Sequence, residues 1–305
     1  MSARVTIPLD DLVLLKAEAR GFSFLPRQPV HSLLSGRHAS RLRGRGLAFE
    51  EMRRYQQGDD IRTIDWRATA RLRSPHVRVY SEERERPVLL VVDQRTPMFF
   101  GSRRAMKSVA AAEAAAIAAW RTLAAGDRVG GIVFTDDKLT DIRPHRSESR
   151  VLQLLHEVVR FNHALPTAAP SGAITLNQAL AAAARRATHD HLVVLISDLD
   201  GADDETRRIT TRLAAHNDVL VVAIYDPLGA SLRSAPGMIA DDRGTSLKLP
   251  DGPGFAKLFR QSFEELLDQW TATFRGIRVP VIPISTAEPV ADQLRELFGQ
   301  ARKPQ

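Results

Sequence analysis

The sequence predicts an α/β fold, in which helices cover both faces of a mostly parallel, open sheet. Three observations predict this fold. Short apolar runs recur from Pro87 onward, each of strand length and well below the roughly 18 residues that cross a bilayer. Segments with helical periodicity separate these runs. Such alternation is typical of parallel strands joined by crossover helices.

The predicted strands are continuous apolar runs, as expected when helices cover both faces of a sheet. In chain order they are Val88–Val92, Val129–Phe134, Leu192–Ser197, Val219–Tyr225 and Pro280–Ile284. Lys138–Ile142 follows the second run after a short acidic turn, so we expect these two segments to form a hairpin.

The predicted helices alternate with the strands. The first, Ala105–Ala125, is rich in alanine and ends at Gly126, and its small side chains allow close approach to a sheet. The others are Arg150–Phe161, Leu176–Arg186 (opened by Thr175), Asp203–His216, Gly254–Arg275 and Ala287–Phe298. The segment Asp226–Pro250 is rich in Gly, Pro, Asp and Ser, which predicts an inserted loop or hairpin.

The character of the chain changes near residue 86. Upstream, the sequence is rich in Arg and Gly and weakly periodic, with a short predicted helix at Leu9–Ala19 and an edge strand at Val77–Tyr80. We therefore divide the chain into an Arg-rich N-terminal segment, residues 1–86, packed on the main domain, and the main α/β domain, residues 87–305.

The composition excludes several classes of protein. There are no cysteines, which removes disulfides, Cys-based zinc sites, iron–sulfur clusters and thiol nucleophiles. Residues 1–20 include Asp10, Asp11 and Glu18, so they lack the layout of a signal peptide. We expect a cytoplasmic protein with no membrane association.

The net charge of +7 is concentrated in one region. Between Arg37 and Arg78 there are 11 arginines against five acidic residues. A basic patch of this kind favours an acidic partner, such as nucleic acid, an anionic membrane or an acidic protein surface. The alternative is that the arginines are internal ion-pair partners.

Three polar residues lie where a parallel sheet usually binds ligands. Asp93 and Asp198 each follow a predicted strand, and Thr175 opens a helix. Ligands gather at the carboxyl ends of strands near a topological switch point, so these residues could share one crevice. Oxygen ligands alone suit Mg²⁺ or Ca²⁺.

An apolar strand ending in Asp, a turn and helix, a Thr loop and a strand ending in Ser-Asp resemble the von Willebrand factor A fold. The metal-ion-dependent adhesion site of that family reads Asp-x-Ser-x-Ser, whereas this chain reads Asp93-Gln94-Arg95-Thr96-Pro97. The resemblance implies metal-ligand positions at Asp93, Thr175 and Asp198, but Arg95 and Pro97 replace both serines. We infer that the Arg95 guanidinium pairs with Asp93 or Asp198 and replaces the cation. We expect no cofactor, Mg²⁺ included.

A second resemblance lies upstream of the first strand. Gly36-Arg37-His38 and Gly44-x-Gly46 precede a longer signature. The signature consists of Arg53, Tyr55, Gly58, Asp59, Asp60, Arg62, Asp65, Trp66 and Arg71. It resembles that of the family called domain of unknown function 58, bacterial and archaeal von Willebrand factor A-like proteins that are typically encoded beside MoxR-type AAA+ ATPases.

The signature has two physical interpretations. It could be a surface on which arginines bind a partner through bidentate contacts. It could instead be an internal lattice of ion pairs around a buried Trp66. We favour the lattice, because alternating opposite charges neutralise one another. It predicts that Trp66→Ala costs several kcal/mol, and that Gly58-Asp59-Asp60 forms a turn followed by a cap.

The resemblance implies a non-catalytic adaptor that helps a MoxR-type ATPase act on client proteins; the client is not identified. The sequence has no Gly-x-x-x-x-Gly-Lys-Ser/Thr, His-Glu-x-x-His or Gly-x-Ser-x-Gly motif, so we expect no enzyme. Two alternatives stay open. A nucleic-acid-binding module would use the basic segment, although aromatic residues do not interleave with it. A metal-dependent hydrolase would need the missing ligands.

Overall fold

A computed structural model describes most of the 305-residue chain. The described residues are 3–19, 47–82, 86–165, 173–228, 239–242, 245–248, 257, 261, 265, 268, 270, 273, 274 and 276–299. The chain divides into two compact units, one of residues 28–85 and one of residues 1–27 with 86–305.

The helices and strands follow one another in the order that a crossover fold requires. They are α1 (Leu9–Glu18), β1 (Leu47–Arg54), α2 (Trp66–Leu72), β2 (His76–Glu82), β3 (Val88–Asp93), α3 (Lys107–Ala124), β4 (Val129–Phe134), β5 (Leu139–His145), α4 (Glu148–Ala164), α5 (Leu176–Arg186), β6 (Leu192–Ser197), α6 (Asp204–Ala214), β7 (Asp218–Tyr225), β8 (Ile239–Asp242), β9 (Thr245–Lys248), β10 (Val281–Ser285) and α7 (Val290–Gly299).

The larger unit contains a six-stranded sheet in the order β10-β7-β6-β3-β4-β5. All neighbouring strands run parallel except β4 and β5, which form the predicted antiparallel hairpin. The predicted α/β fold with a mostly parallel open sheet is confirmed. The sheet positions the candidate site, because every parallel strand ends at the same edge.

Helices bury both faces of this sheet. Successive side chains of β3 point to opposite faces, so Leu90 and Val92 join one core while Leu89 and Val91 join the other. The first core packs against α1, α3, α4 and α7. The second packs against α5, α6 and the described helical residues Trp270 and Phe274.

The alanines of α3 let this helix approach the sheet closely, and nearly every residue of the helix is buried. Its one acidic side chain, Glu113, is also buried and holds the Arg104 guanidinium in two hydrogen bonds of 3.0 and 2.6 Å. A buried carboxylate needs such a partner to remain charged at low cost.

Helix α1 belongs to the larger unit, whereas the change in sequence character near residue 86 groups it with the Arg-rich segment. Leu12 is fully buried, and its carbonyl accepts a hydrogen bond of 2.9 Å from the Trp120 indole of α3. The backbone N–H of Ile7 donates to the buried Asn162 of α4. These contacts attach residues 3–19 to the helices on one face of the sheet.

The smaller unit is built on a hairpin. Strand β1 pairs antiparallel with β2, with a bulge between Phe49 and Glu51, and α2 contacts β2. Ala68 of α2 and Val77 of β2 are both buried. The predicted edge strand lies within β2, whereas β1 was not predicted.

Some sequence-based predictions fall outside the described residues, namely Gly36-Arg37-His38, Gly44-x-Gly46 and the loop Pro166–Gly172. Within the predicted insertion, β8 and β9 form a hairpin. The described positions of the predicted helix Gly254–Arg275 are helical. Among the described residues, no helix has the length and apolar character to cross a membrane.

Candidate functional site

Asp93 and Asp198 lie side by side at the topological switch point of the sheet. Strand β3 ends at Asp93, and the neighbouring parallel strand β6 ends one residue before Asp198. From β3 the chain continues through β4 and β5 toward one edge, while β6, β7 and β10 extend toward the other. This topology explains the expected proximity of Asp93 and Asp198, whereas Thr175, the third residue expected there, caps α5 instead.

The Arg95 guanidinium lies against the Asp93 carboxylate. Nε is 3.0 Å from Oδ1 and Nη2 is 2.7 Å from Oδ2, so the pair is bidentate. The Arg95 backbone N–H also donates to Oδ1, and the Ser197 hydroxyl donates to Oδ2 over 2.6 Å. Arg95 is the cation in contact with Asp93, the first of the two partners that we considered for it.

The Arg95–Asp93 pair is almost entirely removed from water. Asp93 has no exposed surface, and Arg95 is 6% exposed. Burial alone lowers the pKa of Arg95. The Asp93 carboxylate raises that pKa by more than burial lowers it, so the net shift is upward. The guanidinium therefore keeps its charge. Arg95 Nη2 also donates to the Asp200 carbonyl. The guanidinium carbon, Cζ, lies 5.4 Å from the centre of the Phe134 ring, within cation–π range.

Asp198 has a different internal cation. The Lys107 ammonium, at the first residue of α3, lies 2.5 Å from Asp198 Oδ2. Asp198 Oδ1 accepts the Asp200 backbone N–H at 3.1 Å. Lys107 was missed in the sequence, because its place beside Asp198 depends on the packing of α3 over the sheet. The one available signal was a lysine at the start of the helix that follows Asp93.

The third implied ligand position, Thr175, serves the backbone. The exposed Thr175 side chain accepts the N–H of Gln178 and so caps α5, and Gln178 completes a capping box. Thr96 donates both its hydroxyl and its N–H to Asp136 Oδ2, at 2.6 and 2.7 Å. The side chain of Pro97 offers no ligand atom. With Arg95 and Lys107 on the two aspartates, these residues do not fit a divalent cation.

A cleft of about 1000 Å³ lies beside this ion-pair cluster, at the ends of β6 and β7. Phe100 is the exposed aromatic side chain of the lining, whereas Trp270 and Phe274 are buried, and Asp198 and Asp226 are among its acidic residues. A cleft of this volume and mixed lining can accept a peptide segment or a small molecule.

Asp226 follows β7 directly, and its structural role was not predicted from the sequence. Its carboxylate accepts hydrogen bonds from the hydroxyls of Ser102 and Thr286 and from the N–H groups of Ser102 and Leu228. Burial raises its pKa, but the hydrogen bonds, those from Ser102 and Thr286 first, lower it more, so the net shift is downward. Asp226 thereby links β7, β10 and the loop before α3.

In the smaller unit, the acidic signature residues organise the backbone. Arg53 and Asp59 form a bidentate pair with two 2.8 Å hydrogen bonds. Asp60 caps the 3₁₀ turn of residues 61–63, and Asp65 caps α2 by accepting two N–H groups. Gly58 has φ +109°, a conformation that favours glycine. The predicted turn at Gly58 followed by a cap is therefore observed.

The predicted burial of Trp66 is wrong. The side chain is 68% exposed, at the first residue of α2. Arg62 and Arg71 are exposed as well, and Tyr55 contributes a backbone hydrogen bond to the Pro75 carbonyl. The lattice interpretation failed because Asp60 and Asp65 cap helix ends rather than surround the indole.

Comparison with known proteins places these features in a family. A family model described as "Protein of unknown function DUF58" matches residues 51–249. The match includes the signature residues as well as Asp93, Arg95, Lys107 and Asp198.

The chain is also similar to individual mycobacterial proteins. It is 28% identical over 291 residues to "Uncharacterized protein Rv1480" of Mycobacterium tuberculosis and, to the same extent, to "Uncharacterized protein Mb1516" of Mycobacterium bovis. Each alignment covers 94% of this chain and 90% of the relative.

Two solved structures resemble part of the fold. BatB from Bacteroides thetaiotaomicron matches with a TM-score of 0.37 and 13% identity, over 69% of this chain and 97% of that protein. The VWA domain of SpRpn10 matches with a TM-score of 0.36 and 9% identity, over 70% and 95% of the two chains.

Proposed function

We propose that this chain, which belongs to the DUF58 family, is a cytoplasmic, non-catalytic protein-binding adaptor that works with a MoxR-type AAA+ ATPase. The observation that carries the proposal is the neutralisation of both sheet-edge carboxylates by cations of the chain itself, Arg95 on Asp93 and Lys107 on Asp198. A carboxylate held in this way is not available as a metal ligand or as a general base.

The hydroxyl of Ser197, which contacts Asp93, cannot act as a nucleophile either. Ser197 is fully buried, its proton is donated to Asp93, and its oxygen accepts the Leu199 N–H at 2.9 Å. A nucleophile must reach its substrate and have a base to take its proton. Ser197 cannot reach a substrate, because it has no exposed surface, which supports a binding role for this edge of the sheet.

The cleft beside the ion-pair cluster supports protein binding. It is large enough for several side chains, and the exposed Phe100 ring in its lining is of the kind that anchors a peptide. The support for the ATPase partner is the family resemblance. In this proposal, the adaptor holds a client protein while the ATPase supplies the work.

Co-purification tests the adaptor role. The full chain is mixed with a MoxR-type ATPase from the same genome, in a variant that binds ATP without hydrolysing it, and the mixture is run on a sizing column. Co-elution that depends on nucleotide is the expected result. Elution as separate proteins with ATP, with ADP and without nucleotide would overturn the proposal.

Substitutions test the role of the cleft. Phe100→Asp, in the lining of the cleft, should weaken capture of a client. Leu297→Asp is a matched control, because Leu297 is similarly exposed but does not line the cleft. Hydrolysis of a phosphate or peptide substrate with Mg²⁺ or Mn²⁺, lost in Asp198→Ala, would show an enzyme instead.

A further inference from the structure

We propose that one face of α2 is a docking surface for an acidic segment of a partner protein. This face, called here the α2 face, consists of Trp66, Arg67, Ala70 and Arg71. The inference rests on the proposed protein-binding function and assigns to it a surface and a partner chemistry. All four residues are exposed, whereas Ala68 on the opposite side of the helix is buried.

Helix geometry brings these side chains together. Residues four apart are neighbours on a helix surface, so Trp66 lies beside Ala70 and Arg67 lies beside Arg71. The small Ala70 side chain leaves the adjoining side of the Trp66 indole uncovered. The result is an apolar strip with two guanidinium groups along one side.

The exposed charge along the described residues 61–73 is positive, and Asp60, just before them, uses its carboxylate to cap the 3₁₀ turn. Within residues 61–73, the exposed charged side chains are Arg62, Arg67, Arg71 and Arg73. The one carboxylate of this stretch, Asp65, is buried and accepts the N–H groups of Arg67 and Ala68. An acidic ligand would supply the missing charge, and arginine binds carboxylates in bidentate geometry.

Local stability does not account for this arrangement. Like charges four residues apart destabilise a helix, and Arg67 and Arg71 are so placed. Trp66 gains little by folding with 68% of its surface exposed. A surface that costs stability and exposes apolar groups is typical of a binding site.

The apolar component favours protein over nucleic acid. Ile61 and Leu72, which flank the α2 face in sequence, are 63% and 49% exposed. Aliphatic side chains suit a protein partner, and Trp with Arg are the residues most enriched at the energetic centres of protein interfaces. Single-stranded nucleic acid instead needs several aromatic rings for successive bases. Residues 61–73 contain one aromatic ring.

A fluorescence titration of the full chain tests the proposal. The probe is a ten-residue peptide that alternates Asp or Glu with Leu and Phe. Trp66 reports directly, because the other two tryptophans, Trp120 and Trp270, are 2% and 9% exposed. We expect saturable blue-shifted emission, which Trp66→Phe abolishes, and binding that weakens as salt rises.

Charge reversal identifies the surface. Arg67→Glu with Arg71→Glu should weaken peptide binding at least tenfold. Arg143→Glu with Arg212→Glu, which makes the same change in net charge at two exposed arginines of the larger unit, should leave it within twofold. If the first pair unfolds the chain, Arg67→Ala with Arg71→Ala replaces it, with a smaller loss expected.

Three results would overturn the inference. These are equal binding by both charge-reversal variants, equal binding of a peptide with Lys in place of its acids, and tighter binding of oligo-dT through the same residues. Failure here is separable from failure of the adaptor proposal. Co-elution with the ATPase without peptide binding would contradict only the role of the α2 face. Peptide binding without co-elution would contradict only the proposed ATPase partner.

Discussion

The guanidinium of Arg95 is bound to the carboxylate of Asp93, two residues earlier in the chain, with Nη2 2.7 Å from Oδ2 and Nε 3.0 Å from Oδ1. Both side chains are buried, and Ser197 completes the contacts of Oδ2. A fixed cation therefore stands at the carboxyl end of strand β3. The two ion pairs, Arg95 with Asp93 and Lys107 with Asp198, therefore stabilise this edge of the sheet.

Removal of Arg95 should be strongly destabilising. Arg95→Ala leaves the Asp93 carboxylate buried without its cation, and breaking a buried pair in this way costs about 3–5 kcal/mol. The free energy of unfolding from urea denaturation measures the loss. Arg143→Ala, at an exposed site, is the control and should stay within about 0.5 kcal/mol of the parent. Similar stability of the two variants would contradict the assignment.

Removal of both charges together should cost less. Asp93→Asn with Arg95→Met leaves no charge uncompensated, and replacement of both partners of a buried pair is often close to neutral. We expect the double variant to be more stable than Arg95→Ala. A double variant as unstable as the sum of the single changes would mean that the two side chains do not interact.

The hydrogen bonds of Asp226 should appear in the pH dependence of stability. Its pKa is lowered in the folded chain, whereas an unfolded Asp titrates near roughly 3.9. The carboxylate therefore stabilises the fold fully above that value, and the contribution is lost as the pH falls through the folded pKa. Asp226→Asn should destabilise more at pH 7 than at pH 3. The exposed Asp204→Asn is the control, and an equal deficit of Asp226→Asn at both pH values would contradict this role.

Two tryptophans should respond very differently to truncation. Trp120→Ala removes a buried ring and its hydrogen bond to the Leu12 carbonyl, at a cost of about 3–5 kcal/mol. Trp66→Ala removes an exposed ring, so it should change stability by no more than about 0.5 kcal/mol. Thermal denaturation distinguishes the two. A large loss in Trp66→Ala would restore the buried-lattice interpretation of the signature.

Gly130 of β4 is required by the neighbouring strand. A Cβ at this position would lie 2.4 Å from the Ile142 carbonyl oxygen and 2.5 Å from the Pro144 nitrogen, both backbone atoms of β5. Gly130→Ala must therefore displace the edge strand, and overpacking of this kind costs about 1–3 kcal/mol. Urea denaturation measures the loss, and an unchanged midpoint would contradict the close approach of β4 and β5.

The fold was predictable because its signals are local. Runs such as Val88–Val92 and Leu192–Ser197 are apolar without interruption, and only a sheet covered on both faces buries such strands completely. The same topology predicted where Asp93 and Asp198 meet. Arg95 was also accessible to sequence reasoning, since it is only two residues from its partner.

The rest depended on tertiary contacts. Lys107 reaches Asp198 because α3 begins above β6, which no spacing in the chain reveals. Asp226 bonds to Ser102 and Thr286, which are far from it in sequence. For Trp66 the error was chemical, because acidic residues before a helix serve as caps as readily as they form ion pairs. Asp65 uses its carboxylate on the backbone, and the indole remains outside.

A crystal structure of the chain grown with millimolar Mn²⁺, with anomalous data, tests the central claim most directly. The account predicts no anomalous peak between Asp93 and Asp198, with the Arg95 guanidinium within hydrogen-bond distance of Asp93 and the Lys107 ammonium on Asp198. A manganese ion coordinated by both carboxylates, with Arg95 turned away from Asp93, would contradict it.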